Sequence, residues 1–477
     1  MVKMKLNPVW KEIGVDLETP VSAFLKLQRV GAKFLLESVE KGEKLGRYSF
    51  IGLNPSSTLK IKEEKMILDG QEISFQKKDF IKKLREILYS FQVIPDQEFP
   101  PFTGGWIGYL GYDVIRFFEI LPSQLPSDLH LPEGILYLVK DILVFDHLKH
   151  IAKVIVLKSS QEEDRRALKR IERIVQAINA PLNPKRETQK TIQAKTPQSN
   201  FKKREFEQII AKAKEYILAG DIFQVVLSQR FSGETSASPF EIYRKLRMIN
   251  PSPYMFFFDF NDFQLIGSSP EALVKLNKET ASLHPIAGTR PRGKTPQEDS
   301  QFAEELFQSE KEKAEHVMLV DLARNDLGRV CLPHTIKIEE KMNLEKYSHV
   351  MHLVSKVRGT LDPNLDALDF FKAAFPAGTV TGAPKIRAME IIEELERTRR
   401  GPYSGGVGYF GLDGNMDLCI AIRMIIHQKG RYYLQAGAGI VADSVPSMEY
   451  RETLNKMAGL YQAIKMSEEK EDDFADR

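Results

Sequence analysis

Phe223-Gln-Val-Val-Leu-Ser-Gln-Arg-Phe231 is the stretch on which the fold reading turns. Its apolar residues alternate or are continuous, as in a half-buried or wholly buried strand, and it follows a helical pattern over 204–218 that stops at Gly220. Helix and strand signals keep alternating from there toward the C-terminus. The same mixture lies upstream. An amphipathic run covers 23–37, strand-like runs cover 135–145 and 151–157, and a charged helical pattern covers 162–178. Between the halves, residues 181–203 lack apolar periodicity and carry Pro181, Pro184 and Pro197 among polar residues, the composition of an exposed connector. The expected organisation is an N-terminal unit over 16–180, a linker over 181–203, a second unit over 204–466 and a charged, frayed tail over 467–477.

Composition narrows the class. A chain of 477 residues can bury a large core and hold two or three structural units. Its formal charge of +3 comes from nearly balanced acids and bases, which speaks against a nucleic-acid surface. Cys331 and Cys419 lack metal-ligand spacing and are expected as buried free thiols of a reducing compartment. The N-terminal Met1-Val-Lys-Met-Lys-Leu-Asn-Pro8 leads into polar sequence, and no stretch approaches the roughly 20 apolar residues of a membrane span. The expected location is the cytoplasm, away from any membrane.

Chemistry concentrates in three glycine-punctuated runs, Pro285-Ile-Ala-Gly-Thr-Arg-Pro-Arg292, Phe375-Pro-Ala-Gly-Thr-Val-Thr-Gly-Ala-Pro-Lys385 and Gln435-Ala-Gly-Ala-Gly439. Read as loops, they offer carboxylate oxygens backbone N–H groups freed from secondary structure, with lysine and arginine for neutralisation. Two carboxylate pairs accompany them, Glu312 with Glu315 on a helical pattern over 310–323 and Glu449 with Glu452 after Pro446. One such pair is ordinarily a solvated helix face. Two pairs beside basic glycine runs suggest a metal-bridged carboxylic acid, because magnesium needs only one or two carboxylates and accepts substrate oxygens. His352 lies among apolar residues and by default is a hydrogen-bonded core histidine. Thr379, Thr381 and Arg423 gain interest from neighbouring glycines, which permit close backbone approach, while Lys385 and Lys456 read by default as surface cations. For Glu271 two placements fit equally: a strand end, where burial would raise its pKa for proton donation, or a helix start after Pro270.

These runs, with Asp321-Leu-Ala-Arg-Asn-Asp-Leu-Gly328, Arg400-Gly-Pro-Tyr-Ser-Gly405, Leu35-Leu-Glu-Ser38 and Gly46-Arg-Tyr-Ser-Phe-Ile-Gly52, occur in an order that resembles the chorismate-utilising enzymes. Within them it resembles the large-subunit (component I) family of anthranilate synthase, over nearly the whole chain. The resemblance implies an α/β fold of two intertwined units, with β-sheets packed as a sandwich and helices outside. It implies conversion of chorismate and ammonia to anthranilate and pyruvate, the first step of tryptophan biosynthesis. Glu315 and Glu452 would bind Mg2+, with Glu312 and Glu449 orienting its waters. Tyr403, Arg423, Lys456 and the backbone of Gly437, Ala438 and Gly439 would hold the substrate carboxylates. His352 and Thr379 would line the ring, and Glu271 would be the general acid at the C4 hydroxyl.

Two positions separate the family's branches. Relatives that add water carry a lysine where this chain has Gln224, and aminodeoxychorismate enzymes commonly carry one where it has Ala287. Direct attack of ammonia at C2 is therefore expected. No Gly-x-Cys-x-Gly nucleophile is present, so glutamine use implies a separate glutamine amidotransferase subunit (component II), expected in a heterotetramer. Resemblance also assigns a tryptophan feedback site to Glu37, Ser38, Pro253, Tyr254 and Met255, with Val407 and Tyr409 leading toward Tyr403. The rival readings are an aminodeoxychorismate synthase component, an isochorismate or salicylate synthase, and a tryptophan-binding regulator without activity.

Overall fold

Strand-forming, largely apolar segments from both halves of the sequence merge into two large sheets. The computed structural model describes residues 4–38, 46–93, 99–182, 196–346 and 350–469, the side chains of Thr289, Lys311 and Val350 excepted. Residues 183–195 of the expected linker, 470–477 of the expected tail and 347–349 beside His352 lie outside the described residues.

One sheet has 13 strands and the other 12. Each is continuous across the two expected units. In the first, Ala32–Glu37 pairs antiparallel with Tyr254–Asp259; in the second, Gly105–Leu110 pairs antiparallel with Gly406–Gly411. Strand Met4–Gly14, upstream of the expected start at 16, pairs with Ile151–Ser159 and Phe91–Val93 in the first sheet. The sheets face each other across an aromatic core. Tyr409 of the second sheet lies 6.2 Å from Phe50 of the first and stacks on Phe102 at 4.3 Å, while Tyr109 meets Phe260 edge-on at 5.5 Å. Rings at these separations combine large apolar burial with favourable ring geometry.

Helices cover the outer face of the 13-stranded sheet. Pro20–Leu27 and Pro239–Ile249 bring Phe24 and Phe240 together at 4.6 Å, and Pro446–Glu468 adds Leu460 and Ile464 to the same buried cluster. The amphipathic run over 23–37 is not one helix. It breaks into Pro20–Leu27, a short 3-10 turn and strand Ala32–Glu37, because Gly31 takes φ +99° and ends the helical path. The other expectations hold with shifted ends: Asp164–Asn179 and Lys203–Leu218 are helices, and the run over 135–145 is the two strands Gly134–Val139 and Asp141–Asp146. Cys331 and Cys419 are buried and free, and burial raises both thiols. Among the described residues no helix is long and apolar enough to cross a membrane.

Candidate active site

Strands Gln224–Glu234 and Arg431–Ile440 pair antiparallel from Val225 opposite Ile440 to Glu234 opposite Arg431. The run Gln435 to Gly439 is thus sheet rather than the expected loop. Its backbone still serves a ligand, for a reason the register supplies. Ser228 donates its N–H to Glu396 Oε1 at 2.8 Å, and Val226 donates its own to the Thr381 carbonyl at 2.8 Å. Ser228–Gly437 and Val226–Gly439 are therefore non-hydrogen-bonded pairs, in which backbone N–H and C=O point away from the partner strand. On that other side, pairing with Met424–Gln428 reaches only to Leu434. The N–H groups of Gly437 and Gly439 accordingly face an open flank, where Lys456 Nζ meets the Gly437 carbonyl at 2.9 Å.

A side chain at either glycine would be crowded. A Cβ on Gly437 would stand 3.0 Å from the Leu227 carbonyl and 3.1 Å from the Tyr403 hydroxyl; one on Gly439 would stand 2.8 Å from Gln224 Nε2. The run from Pro285 is likewise mostly strand, Ile286–Pro291, broken by a bulge at Gly288 with φ +69°. Phe375 to Lys385 forms a 3-10 turn over Gly378–Val380, a two-residue strand beside Gln224 and Val225, and the start of helix Lys385–Leu395.

Side chains from these elements converge. Arg423 immediately precedes strand Met424–Gln428 in left-handed conformation at φ +50°, and lies within electrostatic reach of His352, Tyr403 and Glu452. Burial lowers its pKa, against the pull of Tyr403 and Glu452. Tyr403 is buried and pushed up to about 12, so it is a neutral phenol with a proton to donate. His352 Nδ1 lies 2.9 Å from the Gly288 carbonyl, which can only accept, so Nδ1 carries the proton. Burial lowers the pKa of this ring, which stays neutral.

Glu271 sits between strands Gln264–Ser269 and Ala272–Asn277, the strand-end placement rather than the helix start. Burial pushes its carboxyl up to about 7, opposed by the adjacent Thr379 hydroxyl and the Lys456 ammonium. Thr379 Oγ1 is nonetheless buried without a well-aligned partner among the described residues, so its contact with Glu271 is a neighbouring one and not a formed hydrogen bond.

Of the acidic pairs, Glu312 and Glu315 both lie on helix Glu310–Gly328 but engage different partners. Glu312 pairs with Arg290 at 3.2 Å, whereas Glu315 accepts from Gln224 Nε2 at 3.2 Å. Glu449 and Glu452 lie in the first turns of Pro446–Glu468, where Glu452 meets Lys456 at 2.7 Å. Neither expected surface cation is free in solvent: Lys456 also meets the Gly437 carbonyl, and the Lys385 ammonium is buried against Asp326 at 3.2 Å and the Ala374 carbonyl at 3.1 Å.

The residues expected to bind tryptophan divide between two faces. Met255 lies opposite Glu37, and both point to the helix side, where Tyr243 donates to Glu37 at 2.5 Å and Arg247 approaches it at 3.2 Å. The Glu37 carboxylate thus already has a cation. Tyr254 points between the sheets and donates to Asp417 at 3.1 Å. Ser38 continues the same alternation, and its Oγ is buried without a partner among the described residues.

Sequence reasoning missed the support beneath these groups. Arg400, fully buried, donates to the Val380 carbonyl at 2.6 Å, the Val226 carbonyl at 2.7 Å and Glu396 at 2.6 Å. Glu396 also accepts from the Ser228 hydroxyl at 2.8 Å. This pair locks the Thr379 turn onto the strand facing the glycines. Its signal was a Glu and Arg four residues apart, ending in the quoted Arg400 motif.

The chorismate binding enzyme family matches residues 31–462. The chain is 46% identical over 474 residues to anthranilate synthase component 1 of Aquifex aeolicus, covering 98% of this chain and 96% of that one. It is 44% identical over 466 residues to anthranilate synthase component 1 of Thermus thermophilus, covering 97% and 99%. Among solved structures, anthranilate synthase component I from Streptococcus pneumoniae has a TM-score of 0.79 at 38% identity, over 89% of this chain and 94% of that one. The menaquinone-specific isochorismate synthase of Escherichia coli shares the fold at a TM-score of 0.72 and 19% identity, over 97% and 96%. A family match over residues 31–462, with relatives 46% and 44% identical and covered almost end to end, means that the chain belongs to the chorismate binding enzyme family.

Proposed function

We propose that the protein is the synthase component that converts chorismate and ammonia to anthranilate and pyruvate. The observation that carries this reading is Glu271, a carboxyl held near neutrality by burial on the flank that gathers carboxylate-binding groups. A group poised near pH 7 is suited to protonate the C4 hydroxyl, which otherwise leaves poorly as hydroxide. Tyr403, Arg423 and the N–H groups of Gly437 and Gly439 hold substrate carboxylates, while His352 and Thr379 orient the ring. Gln224 is a neutral amide, with no lysine to deprotonate water at that position. Ammonia needs no such base.

The carboxylates of Glu315 and Glu452 are the hard oxygen donors that Mg2+ takes, and magnesium needs only one or two of them because it keeps several waters and accepts substrate oxygens. Glu315 and Glu452 would hold it, with Glu312 and Glu449 behind them. Bound there, it would draw negative charge from the substrate.

Glutamine would be used through a separate amidotransferase subunit in a cytoplasmic heterotetramer. The test of the reaction is to incubate the isolated chain with chorismate, a magnesium salt and either an ammonium salt or glutamine, identifying products chromatographically. Anthranilate from ammonium alone is the expected result. Aminodeoxychorismate, isochorismate or salicylate would favour the corresponding rival, and glutamine-driven turnover by pure chain would remove the need for a partner.

Feedback by tryptophan would rest on the inter-sheet face at Ser38 and Tyr254, next to Pro253, with Glu37 and Met255 supporting it from behind. Tyr254 lies opposite Ser269, whose hydroxyl bonds the Ile420 carbonyl at 2.7 Å and accepts the Glu271 N–H at 3.4 Å. A ligand that displaces Tyr254 would thereby shift the acid. Ser38→Phe, filling that face, is expected to raise the tryptophan concentration for half-inhibition by roughly 5- to 150-fold, the range of ordinary allosteric couplings, with uninhibited turnover kept. Tryptophan titration at fixed chorismate measures it; equal inhibition of variant and wild type would move the site elsewhere.

A further inference from the structure

A cavity of about 50 Å³ lies behind Glu271, on the side of strand end His284 and helix Glu310–Gly328. Its lining is mostly apolar, with Leu322, Ala323 and Ile420 among it, but Glu271, Thr379, His284 and Asp326 also reach it. Two of these polar groups are orphaned: Thr379 Oγ1 and His284 Nε2 are buried without partners among the described residues. Asp326 is committed to Lys385. One water needs about 10–15 Å³ of such volume and two to four polar partners, so there is room for roughly three. Glu271, Thr379 and His284 supply the partners. Lys275, Lys356 and Arg358, opposed by Asp417, surround the imidazole; burial first and these cations second hold its pKa down to about 4. The ring is neutral and can either donate to water or accept from it.

Resting on the reading above, we propose that this cavity is the exit site for the water formed at C4, with His284 as the positioning residue that receives it. When Glu271 gives its proton to the C4 oxygen, the C4–O electron pair leaves with that oxygen and a whole water molecule forms against the carboxyl. Ammonia's lone pair makes the C2–N bond as the ring double bonds shift, so atoms and electrons balance without another reactant. A water left against the substrate would block the next proton transfer and favour return to chorismate. Passing it to Thr379 Oγ1 and then His284 Nε2 satisfies both orphaned atoms and clears the acid.

The test uses the full chain with an ammonium salt. His284→Leu removes the acceptor, Ala323→Leu fills the cavity, and His284→Asn restores a polar partner. The first two are expected to lower kcat about tenfold, as the loss of one buried hydrogen bond would, with KM for chorismate unchanged. His284→Asn should recover most of that loss. A loss of packing alone would lower melting temperature without the kcat-against-KM split or the asparagine recovery. A high-resolution crystal structure of the wild type should show ordered water within hydrogen-bond reach of His284 Nε2, a readout independent of whether any variant folds. Wild-type kcat in folded His284→Leu and Ala323→Leu, or a dry cavity in that crystal, would overturn the exit site while leaving the reaction standing. Failure of the wild type to make anthranilate would instead overturn the reaction and the exit site with it.

Discussion

Glu271→Gln is expected to lower kcat by about 10²–10⁴-fold, the usual contribution of a general acid, because an amide of nearly the same shape has no proton to give. The wild-type pH profile should carry the same signature. With free ammonia held constant by adjusting the ammonium salt, kcat should fall as pH rises through about 7, where the carboxyl gives up the proton it must donate. Without that adjustment, the growing ammonia fraction would mask the fall. Stability supplies an independent readout. The folded carboxyl sits above its ordinary value of 4.5, so its contribution to stability is full below about 4.5 and is lost as pH rises through about 7. Glu271→Gln, which never ionises, should therefore melt above wild type at pH 8, with the difference closing toward pH 5. A glutamine variant within threefold of wild-type kcat, or a wild-type kcat that rises through pH 7 at constant ammonia, would take the acid role away from Glu271.

The same residue shows how far the sequence could be read. Pro270 before Glu271 admitted a strand end or a helix start, and local pattern could not choose between them. What decides it is strand Ala272–Asn277 pairing with Met416–Ile420, a contact across more than a hundred residues. The glycine runs did not give away their form. Glycine can mean a loop or a strand without room for a side chain, and the Tyr403 hydroxyl that crowds Gly437 comes from another element. Helices with distinct polar and apolar faces, such as Asp164–Asn179 and Lys203–Leu218, were legible because 3.6-residue periodicity is local. The split of Glu37 and Met255 from Ser38 and Tyr254 was not: it follows from strand alternation once 32–37 is known to be strand, and the amphipathic run over 23–37 pointed to a helix. Arg400 and Glu396 were hidden for a related reason. A buried ion pair whose partners are backbone carbonyls of distant strands looks, in sequence, like an ordinary surface pair four residues apart.

Removing divalent cations is expected to abolish turnover, and added magnesium to restore it. Glu315→Gln and Glu452→Gln should each cost on the order of 10²–10⁴-fold, the several kcal/mol that a cation contributes where negative charge must be drawn off. The surroundings of the two carboxylates explain why fold and activity should separate. Glu452 is about half exposed and meets Lys456 in the helical i, i+4 relation, a contact worth about 0–1 kcal/mol at most such sites. Glu315 meets the amide of Gln224, and a glutamine at 315 can accept the same hydrogen bond through its carbonyl oxygen. Melting temperature should therefore hardly move in either variant. The cation has competitors in place, since Lys456 sits on one carboxylate and Gln224 on the other. Lys456→Met should consequently tighten magnesium binding measured by calorimetry without substrate, even as it weakens chorismate binding by deleting a cation from the carboxylate flank. Full activity of Glu452→Gln under limiting magnesium, or a Lys456→Met variant that binds magnesium no better than wild type, would show that these carboxylates serve the helix surface and that the cation, if one is needed, is held elsewhere.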